Sequence, residues 1–321
     1  MNPDTEHNLK FYQRSPLALG LLILAALLLV FVILIISAGV SSRPGTKSVA
    51  ASLSFGQKVA VMKIEGEIVS SESVLRQLRS YKDNNSVKAV VLRVDSPGGL
   101  PAPSQEIYQE LQRFKKKKPV VASMGSLAAS GAYYVCLPCN YIIASPATLT
   151  GSIGVVMQTT DLEELLKWMK VRQGVIKSGP YKDAGSPFRP MTNDERKYFQ
   201  KVIDNVFSQF KNAVAESRKI KEPVLSQITD GRVFTGEQAK NLGMIDELGN
   251  IEDAIRKAGQ LAGIKGEPEV LWPMRRYSFW EDLGSRFAGS FWSRLQNLAA
   301  NPLWLVMPGI NLGQEQGASN D

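Results

Sequence analysis

Histidine is almost missing from this sequence: there is one, His7, in 321 residues. It precedes the one long apolar run, so the stretch that reads as a folded domain contains none. A Ser-His-Asp triad needs an imidazole within hydrogen-bond reach of the serine. That triad is therefore excluded, and with it Cys-His chemistry and hydrolysis at a histidine-held metal. Cysteine is nearly as scarce. Cys136 and Cys139, in "CLPC", are too few for a disulfide scaffold and too few for a zinc site. A redox C-x-x-C would need a place in a β-α unit that this motif lacks, which leaves a local bridge or two packed thiols. There is no Walker loop, no G-x-G-x-x-G after a strand, and no G-x-S-x-G in a strand-turn-helix setting. Acidic residues are plentiful, yet their spacing singles out no acid/base pair. If the chain has catalytic chemistry, its base is a lysine or a carboxylate.

What is present starts with an excess of cations, 38 Lys and Arg against 30 Asp and Glu, for a net charge of +8. Such a balance suits nucleic acid or a membrane surface. "KKKK" at 115–118 has neither aromatic nor motif context and reads as a solvated helix end, so no nucleic-acid partner is expected. The N-terminus points to the bilayer instead. Residues 17–36, "LALGLLILAALLLVFVILII", are uncharged and almost wholly apolar. At about 1.5 Å per residue, such a helix spans the roughly 30 Å hydrocarbon core. The run exceeds the apolar region of a cleaved signal peptide, and "SAGVSSRPG" after it offers no clear A-x-A site. An uncleaved anchor is expected. Lys10 and Arg14 before it nearly balance Arg43 and Lys47 after it; a short inside tail and a large outside domain is the arrangement adopted.

The expected organisation is a tail over 1–16, an anchor over 17–38, a Ser/Ala/Gly-rich linker over 39–57, a folded domain over 58–265 and an amphipathic tail over 266–321. Within the domain, apolar runs such as "KVAVMKIEGEIV", "VKAVVLRVDSPGG" and "PVVASMGS" alternate with helical stretches near 72–82 and 104–116. The runs are continuous more than alternating, which predicts a mostly parallel sheet covered on both faces. From Thr192 the pattern turns helical. "TNDE" forms a capping box, and Phe199, Val202, Ile203, Val206, Phe207, Phe210 and Val214 then make an apolar stripe for the core. "TGEQ" at 235–238 and "NIED" at 250–253 open two further helices, the last ending around Gly263. The tail after 266 mixes Trp and Phe with Arg, as a membrane-surface helix, a subunit contact or a helix packed on its own domain would.

The stretch "GSLAASGAYYV", 125–135, sets two serines among glycines and alanines where a strand meets a helix. A serine there can be a nucleophile once a base takes its proton. A lysine can be that base when burial disfavours its ammonium. "IKSGPYKDAGSPFRPMT", 176–192, holds Lys182 mid-loop among glycines and prolines. Composition alone leaves Lys182 open between that role and ordinary solvation.

Four segments, "DSPGG" (95–99), "GSLAASGAYY" (125–134), "TGSIGVV" (150–156) and "SGPYKDAGSPFRPMT" (178–192), resemble the signal peptide peptidase A family in its order. The resemblance covers about 58–265, in the shorter, single-domain bacterial form. It implies an α/β fold, a Clp/crotonase-like spiral of β-β-α units, behind one N-terminal transmembrane helix. By position it makes Ser130 the nucleophile, Lys182 the general base and Ser152 the residue that orients the lysine amine. Ser126 falls outside the catalytic position. Gly98 and Gly99 match the turn that lines the oxyanion hole, with the Gly131 amide as second donor. Amides aimed at a developing oxyanion are worth about 3–4 kcal/mol each, and a helix N-terminus favours the same charge. The resemblance further implies a serine endopeptidase without cofactor or metal, a homo-oligomer, and hydrophobic peptide substrates such as cleaved signal peptides at the lipid bilayer. It places the chain as a single-pass protein of the bacterial inner membrane, catalytic domain outside the cytoplasm. Two other readings stay open: a peptidase of the same dyad class for a specific membrane protein, and a non-catalytic crotonase-like peptide-binding scaffold. The cysteine pair lies outside the family's catalytic pattern.

Overall fold

In "KVAVMKIE" both faces of the strand are apolar. Val59 and Val61 point one way, Ala60 and Met62 the other, and all four are fully buried. A strand of that kind needs cover on two sides, and the computed structural model supplies it. It describes residues 56–273 and the backbone of a strand at 303–306. The tail 1–16, the anchor 17–38 and the linker up to residue 55 lie outside the described residues. Among the described residues no helix is long and apolar enough to cross a membrane.

In chain order the elements begin β1 (Lys58–Glu65), α1 (Glu72–Asp83), β2 (Val87–Ser96), β3 (Gly98–Gly99), α2 (Pro101–Phe114), β4 (Val120–Ala129), α3 (Gly131–Cys136) and β5 (Tyr141–Ala144). There follow β6 (Leu149–Gly151), β7 (Val156–Met157), α4 (Glu163–Trp168), α5 (Asn193–Arg218), α6 (Val224–Ile228) and β8 (Val233–Thr235). The chain continues through α7 (Gly236–Asn241), β9 (Glu247–Leu248), α8 (Ile251–Leu261), β10 (Glu269–Leu271) and β11 (Leu303–Val306). The main sheet runs β10-β1-β2-β4-β5-β9, every neighbour parallel. The first half of β4 pairs with β5 and its second half with β6, which in turn pairs antiparallel with β8. The expected mostly parallel, α/β architecture is what forms. One face of the sheet packs under α8 through Ala254, Ile255 and Ala258; the other, larger core takes in Leu78, Leu111, Phe114, Tyr133 and Phe210.

All three capping boxes are present. Thr192 accepts from the Glu195 amide, Thr235 from Gln238, and Asn250 from Glu252 and Asp253. Three other expectations shift. The apolar stripe of α5 is buried only toward its C-terminal end, at Phe210, Ala213 and Val214; Phe199, Val202, Ile203, Val206 and Phe207 are half-buried. The later turns of this 26-residue helix pack on α3, where the Phe210 ring meets Tyr134 edge-on at 4.9 Å. Lys118 is not simply solvated: its ammonium donates to the Tyr81 and Asn84 carbonyls, at 2.6 and 2.7 Å, closing the C-terminal end of α1. Finally, β10 and β11 lie beyond residue 265, and β10 extends the main sheet along β1.

Candidate active site

The strand read as ending near residue 126 runs on to Ala129 because its middle is bulged. Val94 of β2 faces Met124, but Ser96, two residues on, faces Ala128. The surplus residues of β4 are held by Asp95, whose carboxylate accepts from the Leu127 amide at 3.1 Å and the Ser126 amide at 3.4 Å. A Cβ on Gly125 would come 2.6 Å from Asp95 Oδ2, so glycine is what lets the carboxylate in. Asp95 therefore joins the first two sequence motifs. Its place in "DSPGG" was visible in the sequence, but its partners, some 30 residues away, were not.

Beyond the bulge the chain turns sharply from β4 into α3, and Ser130 is the turn. Its φ of 55° and ψ of −120° put a residue with a side chain in a region that favours glycine. Such backbone costs about 1–3 kcal/mol and persists where the surroundings impose it. Here they do. The Ser130 amide donates to Gly151 O at 2.8 Å, and the Tyr134 amide donates back to Ser130 O at 2.9 Å. Small neighbours (Ala128, Ala129, Gly131 and Ala132) let the turn close inside the core. Ser130 is 1% exposed, and its hydroxyl does not cap the helix that follows.

Ala129 pairs with Gly151, so Ser130 and Ser152 stand at adjacent strand ends. Ser152 also has a positive φ, 49°, is 5% exposed, and donates its amide to Arg232 O at 2.8 Å. Two buried serines thus meet from segments that the sequence sets 22 residues apart.

The two glycines of "SPGG" divide their tasks. The Gly98 amide donates to Ser96 Oγ at 3.1 Å, and its carbonyl accepts from Ile68 at 2.8 Å. The Leu100 amide donates to Ile68 O, so the polar groups of Gly99 between them face the opposite edge, toward β11. Of the pair, only Gly99 turns its amide to the edge shared with β11. Gly131 is the first residue of α3, which packs against β3. Its amide has no partner within the first turn of that helix.

Lys182 is placed differently. It lies in a turn, its amide bonded to Gly179 O at 3.2 Å, and it is exposed. The structure thus brings Ser130 and Ser152 together and leaves Lys182 without the burial that a lysine base requires. The turn itself is firmly held. Arg189 donates through Nε to Asp183 Oδ2 at 2.9 Å, through Nη2 to the Asp183 carbonyl at 3.2 Å, and to both carboxylate oxygens of Glu195. Lys177 takes the other Asp183 oxygen at 2.6 Å. The carboxylate beside Lys182 is thereby committed to other cations.

Hydrogen bonds from Arg189 and the Thr192 amide hold the Glu195 carboxyl down at about 2, and Arg189 with Lys177 pushes Asp183 well below the usual carboxylate range. Groups lowered in the folded state stabilise it fully above the ordinary carboxylate value of about 4. That contribution is lost as pH falls toward 2. In Arg189→Met we expect kcat to drop about 10–100-fold with KM little changed, because the loop that carries Lys182 is loosened. Hydrogen exchange over 178–188 should quicken in the variant at pH 7, while the parent keeps its protection down to about pH 4. Exchange and kcat both unchanged would show that the clamp does not position the loop.

Cys136 and Cys139 are separate buried thiols in α3 and just after it. Burial pushes Cys139 up to about 12 and Cys136 well above its ordinary value, so both are poor thiolates. Among the described residues no group of three His, Cys, Asp or Glu could hold a metal ion.

Against known proteins, the family model described as peptidase family S49 matches residues 112–265. A candidate protease of Synechocystis sp. is 41% identical over 210 residues, 65% of this chain and 76% of that protein. A candidate signal peptide peptidase of Enterococcus faecium is 34% identical over 190 residues, 59% of this chain and 55% of that protein. Among solved structures, a ClpP1 mutant from Listeria monocytogenes aligns at 18% identity and a TM-score of 0.42, covering 60% of this chain and 93% of that one.

Proposed function

Since the chain belongs to peptidase family S49 and is by that membership a peptidase, we propose that it is a serine endopeptidase working through a Ser130–Lys182 dyad. The observation that carries the reading is the backbone of Ser130. A buried serine with φ 55°, at the join of a strand and a helix, holds a costly conformation that its own hydroxyl does nothing to stabilise. In the proposed reaction Ser130 Oγ attacks the peptide carbonyl carbon while the neutral Lys182 amine takes its proton. The Gly99 and Gly131 amides receive the oxyanion. The tetrahedral intermediate expels the amine, which leaves with the proton from Lys182, and water then hydrolyses the acyl-enzyme by the same base. Ser152 orients the lysine amine. No cofactor or metal takes part.

Lys182 is exposed in the single chain, so the water exclusion that neutralises it has to come from substrate or from another copy of the chain. A homo-oligomer fits the surface around it. Trp168 is 80% exposed, and Leu165, Met169, Val175, Ile176 and Tyr181 are exposed with it, apolar side chains that a second copy would cover. We read the fold as the Clp/crotonase-like spiral, on the repeated strand-helix alternation of β1 to β5. Hydrophobic peptides such as cleaved signal peptides are the proposed substrates. The apolar run at 17–36 supports a single-pass position in the bacterial inner membrane, with the catalytic domain outside the cytoplasm. A serine-directed acylating inhibitor should add one covalent group, located by peptide mass spectrometry on Ser130. Labelling of Ser126 or Ser152 instead, or of no serine, would sink the assignment.

A further inference from the structure

Between Met124 and Ala128 the backbone of β4 is held by side chains from β2 and from residues 148–150. Over this interval β2 takes two steps, Val94 to Ser96, while β4 takes four. Arg93 Nη1 donates to Met124 O at 3.1 Å, and Thr148 Oγ1 donates to Gly125 O at 2.7 Å. Asp95 accepts from the Ser126 and Leu127 amides, and Thr150 Oγ1 donates to Ala128 O at 2.7 Å. Bulges re-aim the strand that leaves them and are over-represented beside active sites. The strand that leaves this one ends at Ala129, and Ser130 follows it.

Asp95 differs from the other holders because it also belongs to the "DSPGG" turn. Its carbonyl accepts the Gly66 amide at 3.1 Å, which pins it to the end of β1. The next residue, Ser96, accepts the Gly98 amide through Oγ, so Asp95 and the glycine turn are braced as one unit. The type of side chain follows from the geometry as well. Two N–H groups converge on it, and an ionised carboxylate is acceptor-only, with an oxygen for each. Asparagine would meet one of those amides with an N–H of its own.

We propose that Asp95 is a positioning residue, which sets the Ser130 hydroxyl relative to the Gly99 amide by tying the β4 bulge to the turn that carries Gly99. The inference rests on the reading of Ser130 as the nucleophile and adds what keeps that serine in register. A one-residue slip of β4 beyond the bulge would turn every later side chain to the opposite face. Even a misplacement of about 1 Å can cost a reaction about 100-fold. In this role Asp95 touches no substrate and moves no proton.

The test uses Asp95→Ala, Asp95→Asn and Gly125→Ala. The last expels the carboxylate without altering it, since a Cβ there would come 2.6 Å from Asp95 Oδ2. Lys118→Ala is the control, losing the two carbonyl contacts that close α1 just before the start of β4, at its far end from the bulge. Turnover of a fluorogenic peptide, the rate of Ser130 acylation by a serine-directed inhibitor, and hydrogen exchange over 124–131 are compared at equal folded fraction. Asp95→Ala should lower kcat and the acylation rate about 100-fold with KM within about twofold, and Asp95→Asn should lower both about tenfold. Gly125→Ala should fall with Asp95→Ala, and the double variant no further, because both remove the same contact. Exchange over 124–131 should quicken in all three, while Lys118→Ala keeps the parental kcat. Parental kcat in a folded Asp95→Ala protein, or an equal loss in Lys118→Ala, would overturn the proposal. Should Asp95→Ala not fold, parental kcat in both Asp95→Asn and Gly125→Ala would overturn it instead. A parent protein acylated on no serine sinks the reading of Ser130 itself, whereas a parent and variants acylated there equally fast sink only the role of Asp95.

Discussion

Ser130→Ala should lower kcat/KM for peptide hydrolysis by roughly 10³-fold or more, since the proposed acyl-enzyme forms on the Ser130 hydroxyl. KM should stay near the parent value. The fold should be unaffected, because the Ser130 hydroxyl caps no helix and the bonds that hold the turn come from the backbone. Alanine keeps the unfavourable φ, so its melting temperature should match the parent's. Ser130→Gly separates strain from chemistry. It is equally inactive but relaxes a backbone at φ 55°, a relief of about 1–3 kcal/mol offset by about 0.5–1 kcal/mol of glycine entropy. A modest rise in melting temperature is expected, the sign of a conformation kept for function at the expense of stability. Lys182→Ala should be nearly as inactive as Ser130→Ala and no less stable, as an exposed side chain contributes little to the fold. Ser126→Ala should be silent, because the Asp95 contact there is made by the amide. Substantial turnover in Ser130→Ala, or a Ser130→Gly protein less stable than the alanine variant, would remove the nucleophile assignment or the strain argument respectively.

Gly99→Ala should be the most damaging single-methyl change in the site. A Cβ at Gly99 would sit 2.5 Å from the Ile68 amide nitrogen and 2.6 Å from its carbonyl carbon, and closer still to the oxygen. These are backbone atoms fixed by two hydrogen bonds, so no side chain can swing aside. Either β3 moves off Ile68, losing both bonds, or the chain tolerates a clash; overpacking of this kind costs about 1–3 kcal/mol or more. Displacement would also carry the Gly99 amide away from the proposed oxyanion position, and losing one such donor lowers kcat about 10²–10³-fold. Activity measured well below the melting transition should therefore fall far more than the folded fraction does. Gly66→Ala is the matched control, with open space around its Cβ and only its positive φ to strain. A Gly99→Ala protein with parental kcat would show that this amide takes no part in catalysis.

The sequence and the structure agree best where a rule is local. The apolar runs, the three capping boxes and the helix limits within a few residues follow from neighbours at one to four positions, and these were legible. The sequence also shows directly that the described residues contain no histidine. The α5 stripe shows where local rules stop. Its periodicity announces a buried face along the whole helix, but burial depends on what lies opposite, and the turns that are buried are those around Phe210 and Val214, where α3 packs against the helix. The Asp95 carboxylate is another case. Nothing near it in sequence marks it as the holder of a bulge in β4.

By itself, then, the sequence determined an α/β domain, a stretch over 58–265 without histidine and four motifs in a recognisable order. These depend on residue identity and short-range spacing, which a chain carries before it folds. Only the tertiary structure decided that Ser130 and Ser152 are neighbours, both forced to positive φ, through the pairing of Ala129 with Gly151. It alone turned Gly99 rather than Gly98 to the edge away from Ile68, left Lys182 exposed in the single chain, and laid residues 303–306 between β3 and β7. Each of these is a pairing or a burial set by segments far apart in the chain. A strand edge shows no preference for its partner until the sheet has been assembled around it.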